Sequence, residues 1–362
     1  MRIAFLTDFY LPNTGGQETR FAELATRLVG RGHEVTVMCV RHAADLPTVE
    51  MRDGVRVLRQ PLSLRYDEPR IDAFGRKPLA TIRFAWATRR VLRAQRFDLV
   101  YFNQWPGLHI LAAPAAVRRA AAIDWCEVRG GVVYGTVQRR FPRLVRFNFC
   151  VNGQGAEELS AQSGVTVEYL PSGVVTERYR SLPRSQREGL LFIGRLTDSK
   201  NLPLLIQGFG ELWERGWRQP LQIGGDGPLR DQLRRDVDAL PDGARQAVRL
   251  LGRVSDEDKI DLLSRSAVLL LPSRREGFPV VVAEAMASGL PVATVDTAGN
   301  GTAHVVRSYG NGIVGADTPA GVADAVLATM ERWEELSAAG LSAVPQLHWD
   351  AVLDRLLERV SL

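Results

Sequence analysis

Short apolar runs alternate with amphipathic stretches from the first residues of the chain. Residues 2–8 read as a buried strand, 17–31 carry apolar positions at helical spacing up to Gly32, and 34–40 form a second strand. Together they make a βαβ unit. The alternation continues with a long helical stretch over 78–96, a strand over 99–103, a helix near 108–121, strands over 123–128 and 147–152, and a helix over 155–162. Strands and helices that alternate in this way predict a parallel, doubly wound sheet.

Near Leu170-Pro171-Ser172-Gly173 the composition shifts, and Pro183 to Glu188 is polar and reads as a linker. The pattern then restarts with strands over 189–194, 221–224, 248–252, 267–271 and 291–294, separated by helices over 202–215, 227–240, 256–265 and about 279–287. Pro228 suits the first turn of the second of these helices. A turn at 344–346 precedes a last amphipathic helix over 348–360. The expected organisation is two α/β domains, 1–172 and 173–345, followed by a closing helical segment 346–362. A chain of 362 residues, 45% apolar and 24% charged, has the length and balance for two globular domains.

Cysteine content and apolar-run length narrow the setting. Cys39, Cys126 and Cys150 are too few and too scattered for a disulfide framework or a zinc site, and they suit a reducing, cytoplasmic compartment. No apolar run approaches the ~20 residues of a membrane helix, and residues 1–9 lack the form of a leader, so a chain neither secreted nor membrane-spanning is expected. The net charge of +5 is uneven: residues 1–180 hold 26 Arg and Lys against 17 Asp and Glu, or +9, and the remainder hold 20 against 24, or −4. A basic first half suits peripheral contact with anionic lipid headgroups, or an acidic acceptor. Nothing in the pattern points to nucleic acid.

The candidate chemistry lies where strands run into loops. After the strand over 267–271 comes a polar turn with Glu276-Gly277-Phe278-Pro279, then a helix holding Glu284 about one turn in. Unpaired N–H groups at that helix start, around Pro279 and Val280, would face a diphosphate, and the two carboxylates would address different hydroxyls of one ligand. Arg195 closes the strand over 189–194, and Lys200 follows five residues on. Two preorganised cations there would stabilise the charge growing on a departing diphosphate. Gly224-Gly225-Asp226-Gly227-Pro228 and Gly252-Arg253-Val254 end the next two strands. In the first half, Asn13-Thr14-Gly15-Gly16 lies between strand and helix, where glycine lets backbone approach a ligand.

The phrase P-S-x-x-E-G-F-P followed by E-A-M-A-x-G-x-P-V, over residues 272–292, resembles the signature of the family 4 retaining glycosyltransferases. G-R-L-x-x-x-K-N, over residues 194–201, resembles their diphosphate clamp. The resemblance implies the GT-B fold, an α/β architecture of two Rossmann-like doubly wound domains facing a cleft, with the last helix crossing back to the first domain and Trp349 as its anchor. It implies a nucleoside diphosphate sugar, UDP- or GDP-linked, held mainly by the second domain. There Arg195 and Lys200 would meet the diphosphate, Glu284 the ribose, and Glu276 with the backbone of Gly277 and Phe278 the sugar. Gly225 and Arg253 would rim the nucleotide pocket, and Gly15 and Gly16 would face donor or acceptor. A glycan, lipid-linked or small-molecule acceptor would meet the first domain. Front-face displacement, with no metal and no other cofactor, is the implied mechanism. Many relatives carry a first-domain histidine near the sugar, but Asn103-Gln104-Trp105 and Glu127-Val128-Arg129-Gly130 hold none, which leaves Arg129, or Glu127, as its replacement. His33, His42, His109, His304 and His348 read as structural. A catalytically silent nucleotide-sugar-binding subunit, and an epimerase or hydrolase of the same architecture, are the alternatives.

Overall fold

The computed structural model describes residues 1–13, 15–63 and 77–360. The chain divides into two compact units, Met1–Pro171 with Trp349–Leu362, and Ser172–His348.

Eight strands build the sheet of the first unit: β1 (Arg2–Leu6), β2 (Glu34–Arg41), β3 (Val49–Arg52), β4 (Val55–Leu62), β5 (Leu99–Asn103), β6 (Ala121–Trp125), β7 (Phe147–Cys150) and β8 (Glu168–Tyr169). Their order is β3-β4-β2-β1-β5-β6-β7-β8, and every pair is parallel except β3 with β4. That antiparallel hairpin turns on Asp53 and Gly54, both at positive φ, 50° and 77°. Phe5, Phe21, Tyr101 and Phe149 pack as one aromatic group beneath the helix Gly16–Gly30. Among them lies a buried ion pair, in which Arg20 donates to both oxygens of Asp124 at 2.8 and 3.0 Å and to the Pro171 carbonyl at 2.6 Å. A pair so deep is tolerated because every charge has a partner. Trp349–Val360, at the end of the chain, buries Trp349, Val352, Leu353 and Leu356 in this same unit.

Six strands, all parallel, make the sheet of the second unit: β9 (Glu188–Ile193), β10 (Leu221–Gly224), β11 (Val248–Gly252), β12 (Ser266–Leu271), β13 (Val292–Val295) and β14 (Gly312–Gly315). The order β11-β10-β9-β12-β13-β14 reverses direction between β9 and β12. In the first unit the reversal falls between β1 and β5. Doubly wound sheets bind ligands outside the carboxyl ends of their strands at such reversals.

Several elements differ from the sequence expectation. The helix near 108–121 is two short helices, Leu108–Ala112 and Ala115–Arg118, because Pro114 has no N–H to carry the ladder across. The helix expected from 227 begins at Arg230, since the Leu229 amide is taken by the Leu196 carbonyl at 3.1 Å and Pro228 sits in a turn. No turn occurs at 344–346: helix Trp333–Leu347 runs through Pro345, whose missing N–H falls in the last turn, and the chain breaks at His348. Helix Val132–Arg140 was not expected, for Val132, Val133 and Gly135 are weak helix formers; Gly131, at φ 105°, serves as its N-cap. Among the described residues, no helix is long and apolar enough to cross a membrane.

Candidate active site

In the second unit the loops that leave β9, β10, β12 and β13 are laced together through backbone. Gly194 donates to Gly224 at 3.0 Å and Leu196 to Asp226 at 3.0 Å, Arg274 to Ser199 at 2.8 Å, Glu276 to Gly299 at 3.1 Å, and Gly301 to Glu276 at 3.0 Å. Glycine is required where these loops touch. At Gly225, with φ 145°, a Cβ would stand 1.9 Å from the Gly194 carbonyl oxygen, and at Gly301 one would stand 1.9 Å from that of Gly277. The loops after β9 and β10, and those after β12 and β13, therefore meet with little side-chain bulk between their backbones, and the Arg274–Ser199 hydrogen bond ties the β12 loop to the β9 loop at the sheet reversal.

Arg195, exposed, leaves the end of β9, and Lys200 follows in the turn Asp198–Lys200. Burial and the nearby Arg195 charge pull the Lys200 ammonium down to about 8. Its Nζ touches the Glu276 carboxylate in the loop after β12. This contact joins two residues that the sequence assigns to different parts of a donor. Gly277, Phe278 and Pro279 carry the chain from Glu276 into helix Val280–Ala287, with Pro279 as an extended N-cap that gives no side-chain hydrogen bond. The first N–H groups of that helix open onto the loop holding Glu276.

Glu284 lies one turn into this helix and is only 8% exposed. Two donors missed in the sequence hold it: Lys259 Nζ at 2.7 Å and Tyr179 Oη at 2.9 Å, both on Oε1. Burial and the Glu284 charge push the Tyr179 phenol up, so it stays a donor. The scarcity of lysine was the available signal for Lys259. Arg253 is exposed just past β11, whose last residue, Gly252, accepts from the Gly225 amide at 2.7 Å.

The first unit gathers a different set. Gly15 and Gly16 open helix Gly16–Gly30, but Glu18 folds back over that start, and a Cβ on Gly15 would lie 2.4 Å from its Oε2. The helix end thus faces a carboxylate of its own chain; Thr14 lies outside the described residues. Past β6, Arg129 contacts Glu127, donates to Tyr134 Oη at 3.2 Å, and lies over the rings of Trp105 and Tyr134 at 5.6 and 5.3 Å. Burial opposes its charge, and Glu127 and Tyr134 outweigh burial, holding the guanidinium above its usual value. Gln104 fixes this corner by accepting from the Cys126 and Glu127 amides at 2.8 and 3.3 Å. Beside it is an open cavity of about 350 Å³ lined by Thr81, Trp105, Leu108, Val133, Val137 and Phe141, among others. His109 is buried under Phe102 and Phe84, and burial pulls it down to about 3, so it packs as a neutral ring.

Known proteins resemble the chain in sequence and in fold. A family described as glycosyl transferases group 1 matches residues 176–341, and one described as glycosyl transferase 4-like domain matches residues 15–184. The chain belongs to the family 4 glycosyltransferases. This glycosyltransferase is 26% identical over 393 aligned positions, covering 99% of its length and 97% of the relative's, to a GDP-mannose-dependent alpha-(1-6)-phosphatidylinositol monomannoside mannosyltransferase of Mycobacterium tuberculosis. It is 27% identical to a D-inositol 3-phosphate glycosyltransferase of Geodermatophilus obscurus, over 95% of its own length and 84% of that protein's. Its fold is the GT-B fold. Sucrose-phosphate synthase from Thermosynechococcus elongatus superposes with a TM-score of 0.77 at 18% identity, covering 99% of this chain and 98% of that one. Anabaena HepE, solved with UDP and glucose, gives 0.73 at 17% identity over 100% and 99%. The glycosyltransferase is an enzyme of the hexosyltransferase kind.

Proposed function

We propose that the enzyme transfers a hexose from a UDP- or GDP-linked donor to an acceptor hydroxyl with retention of anomeric configuration and without a metal. The observation that carries this reading is the contact of Lys200 with Glu276 at the β9/β12 reversal, with the Arg195 charge near Lys200 and Glu284 one turn into the helix that follows. Arg195, Lys200 and the helix start at Pro279–Val280 stabilise the diphosphate as the anomeric C–O bond breaks. Glu276 offsets positive charge developing at the anomeric centre, Gly277 and Phe278 offer backbone to the sugar, and Glu284 accepts from the ribose hydroxyls. Gly225 and Arg253 border the nucleotide. The acceptor oxygen attacks from the face the diphosphate leaves, and its proton passes to a departing phosphate oxygen, so no protein base is needed.

The acceptor belongs to the first unit, near Arg129 and the Gly15–Gly16 loop. The apolar cavity beside Trp105 favours an acceptor with an apolar part. Leu79, Ile82 and Trp86 are exposed on helix Pro78–Ala94 with Arg83 and Arg90, a composition that suits peripheral contact with an anionic membrane from the cytoplasmic side.

The test is a thermal-shift panel of UDP-, GDP- and ADP-sugars, followed by release of nucleoside diphosphate. A donor at 100 times its Kd adds about 2.7 kcal/mol of stability. One sugar nucleotide is expected to raise the melting temperature, and Lys200→Ala to cut turnover by about 100- to 1,000-fold. A panel with no shift sinks the donor reading; binding with no turnover on any acceptor makes the protein a silent subunit.

A further inference from the structure

Of the 46 cationic side chains only three are lysines, Lys77, Lys200 and Lys259. Two of those three stand on the two glutamates of the signature, Lys200 on Glu276 and Lys259 on Glu284. In a chain where arginine supplies almost every positive charge, ammonium groups at both carboxylates point to a requirement for a compact point charge. A planar five-donor fork does not meet that requirement.

We propose that Lys259 is a positioning residue for nucleotide recognition, one that aims the Glu284 carboxylate at the ribose diol; the inference rests on the reading of Glu284 as the ribose ligand. Lys259 lies one turn into helix Asp256–Arg265, which is capped by Ser255, and its Nζ reaches Glu284 Oε1 at 2.7 Å with Asp256 at 3.6 Å. Tyr179 donates to the same oxygen. Both contacts therefore hold the carboxylate by Oε1 and leave Oε2 to a ligand. One carboxylate oxygen accepts two hydrogen bonds, which is what the 2′- and 3′-hydroxyls of a ribose supply.

The backbone around Glu284 is fixed, because Val282, Ala283, Ala285, Met286 and Ala287 are all buried. The freedom left to Glu284 is rotation about its side-chain bonds. Two donors on one oxygen remove that freedom before the nucleotide arrives, so less ordering is charged against binding. Lys259 itself need not touch the nucleotide.

The experiment compares binding of UDP, GDP and ADP with that of their 2′-deoxyribose counterparts, by calorimetry, together with inorganic pyrophosphate as a probe of the diphosphate site alone. For the nucleotide that binds, the wild-type enzyme is expected to prefer ribose by about 10- to 100-fold, the range of a hydrogen bond to a charged group. Glu284→Gln brings that ratio close to one. Lys259→Met, which keeps the stem and loses the charge, lowers the ratio to below about threefold while pyrophosphate affinity stays at the wild-type level. Tyr179→Phe shifts the ratio the same way, and Lys259→Arg does not restore it. Should Lys259→Met not fold, Lys259→Arg and Tyr179→Phe decide the matter by the same ratio. If Glu284→Gln collapses the ratio and the Lys259 variants leave it intact, the inference is overturned and the ribose reading stands. If Glu284→Gln leaves the ratio intact, or if none of the three nucleotides binds, the ribose reading falls and takes the inference with it. Loss of pyrophosphate binding in the Lys259 variants marks a merely structural role and also overturns it.

Discussion

At the residue scale, the proposed role of Lys200 at the diphosphate predicts a pH limit on binding. Burial and Arg195 bring its ammonium to about 8, below the 10.5 of free lysine, so its charge is present below pH 8 and disappears above it. Affinity of the free enzyme for a nucleoside diphosphate is expected to hold between pH 7 and 8. It should then fall by about tenfold per pH unit up to the pKa of Lys200 in the complex, as expected when the bound state keeps a proton that the free state has lost. Lys200→Met should bind more weakly at pH 7 and show no such fall. Calorimetric titrations of both proteins from pH 7 to 9.5 check this, and parallel slopes would remove Lys200 from the diphosphate site. The positions expected of Arg195, Lys200 and Glu276 in the loops after strands, and of Glu284 one turn into a helix, are those the structure shows. The pairing of Lys200 with Glu276 and of Lys259 with Glu284 was not legible, for it depends on which loops cross. Arg129 shows the same gap: the missing histidine was visible, but not that Glu127 and two aromatic rings would engage the arginine in its place.

At the scale of elements, the second unit was read closely as far as β13, whereas β14 and the helices Gly301–Tyr309, Pro319–Glu331 and Trp333–Leu347 beyond it were not expected. The helices before β13 are amphipathic or apolar and end at clear breakers, so β10, β11 and helix Asp256–Arg265 fall on the expected residues. In the first unit the β3–β4 hairpin escaped notice although Asp53-Gly54 is a strong hairpin signal, because its flanking strands carry arginine and glutamate on their exposed sides. Glycines at the loop crossing in the second unit are a part of the site that pattern alone does not rank. Gly225 combines positive φ with a Cβ position 1.9 Å from the carbonyl of Gly194, which directly follows β9, a strand paired on both sides. Gly216, at φ 95°, has open space around it. Gly225→Ala is therefore expected to cost about 3 kcal/mol or more and to abolish nucleotide binding, while Gly216→Ala costs about 1 kcal/mol and leaves binding unchanged. Denaturant melts and calorimetry on the two variants make the comparison, and equal costs would mean that the crossing is looser than the geometry shows.

At the scale of the whole chain, a segment that follows the second unit in sequence belongs to the first in structure. The resemblance to family 4 enzymes implied this return and singled out Trp349; the structure shows what holds the helix there. Trp349 is 2% exposed, and Val352, Leu353, Leu356 and Val360 repeat its burial at helical spacing. Around that stripe lie ion pairs of Asp350 with Arg27, Asp354 with Arg31, and Arg359 with Glu168. These are exposed or half-exposed and contribute little each, so the stability of the docking comes from the apolar stripe. Trp349→Ala should therefore destabilise the first unit by about 3–5 kcal/mol, the range for a large buried aromatic side chain. Asp354→Ala should cost less than about 1 kcal/mol. Hydrogen exchange separates the units: Trp349→Ala should lower amide protection in helix Gly16–Gly30, against which the last helix packs, and leave helix Leu202–Glu214 of the second unit unchanged. Equal loss of protection in both helices would show that Trp349 stabilises the chain by some route other than the first unit's core.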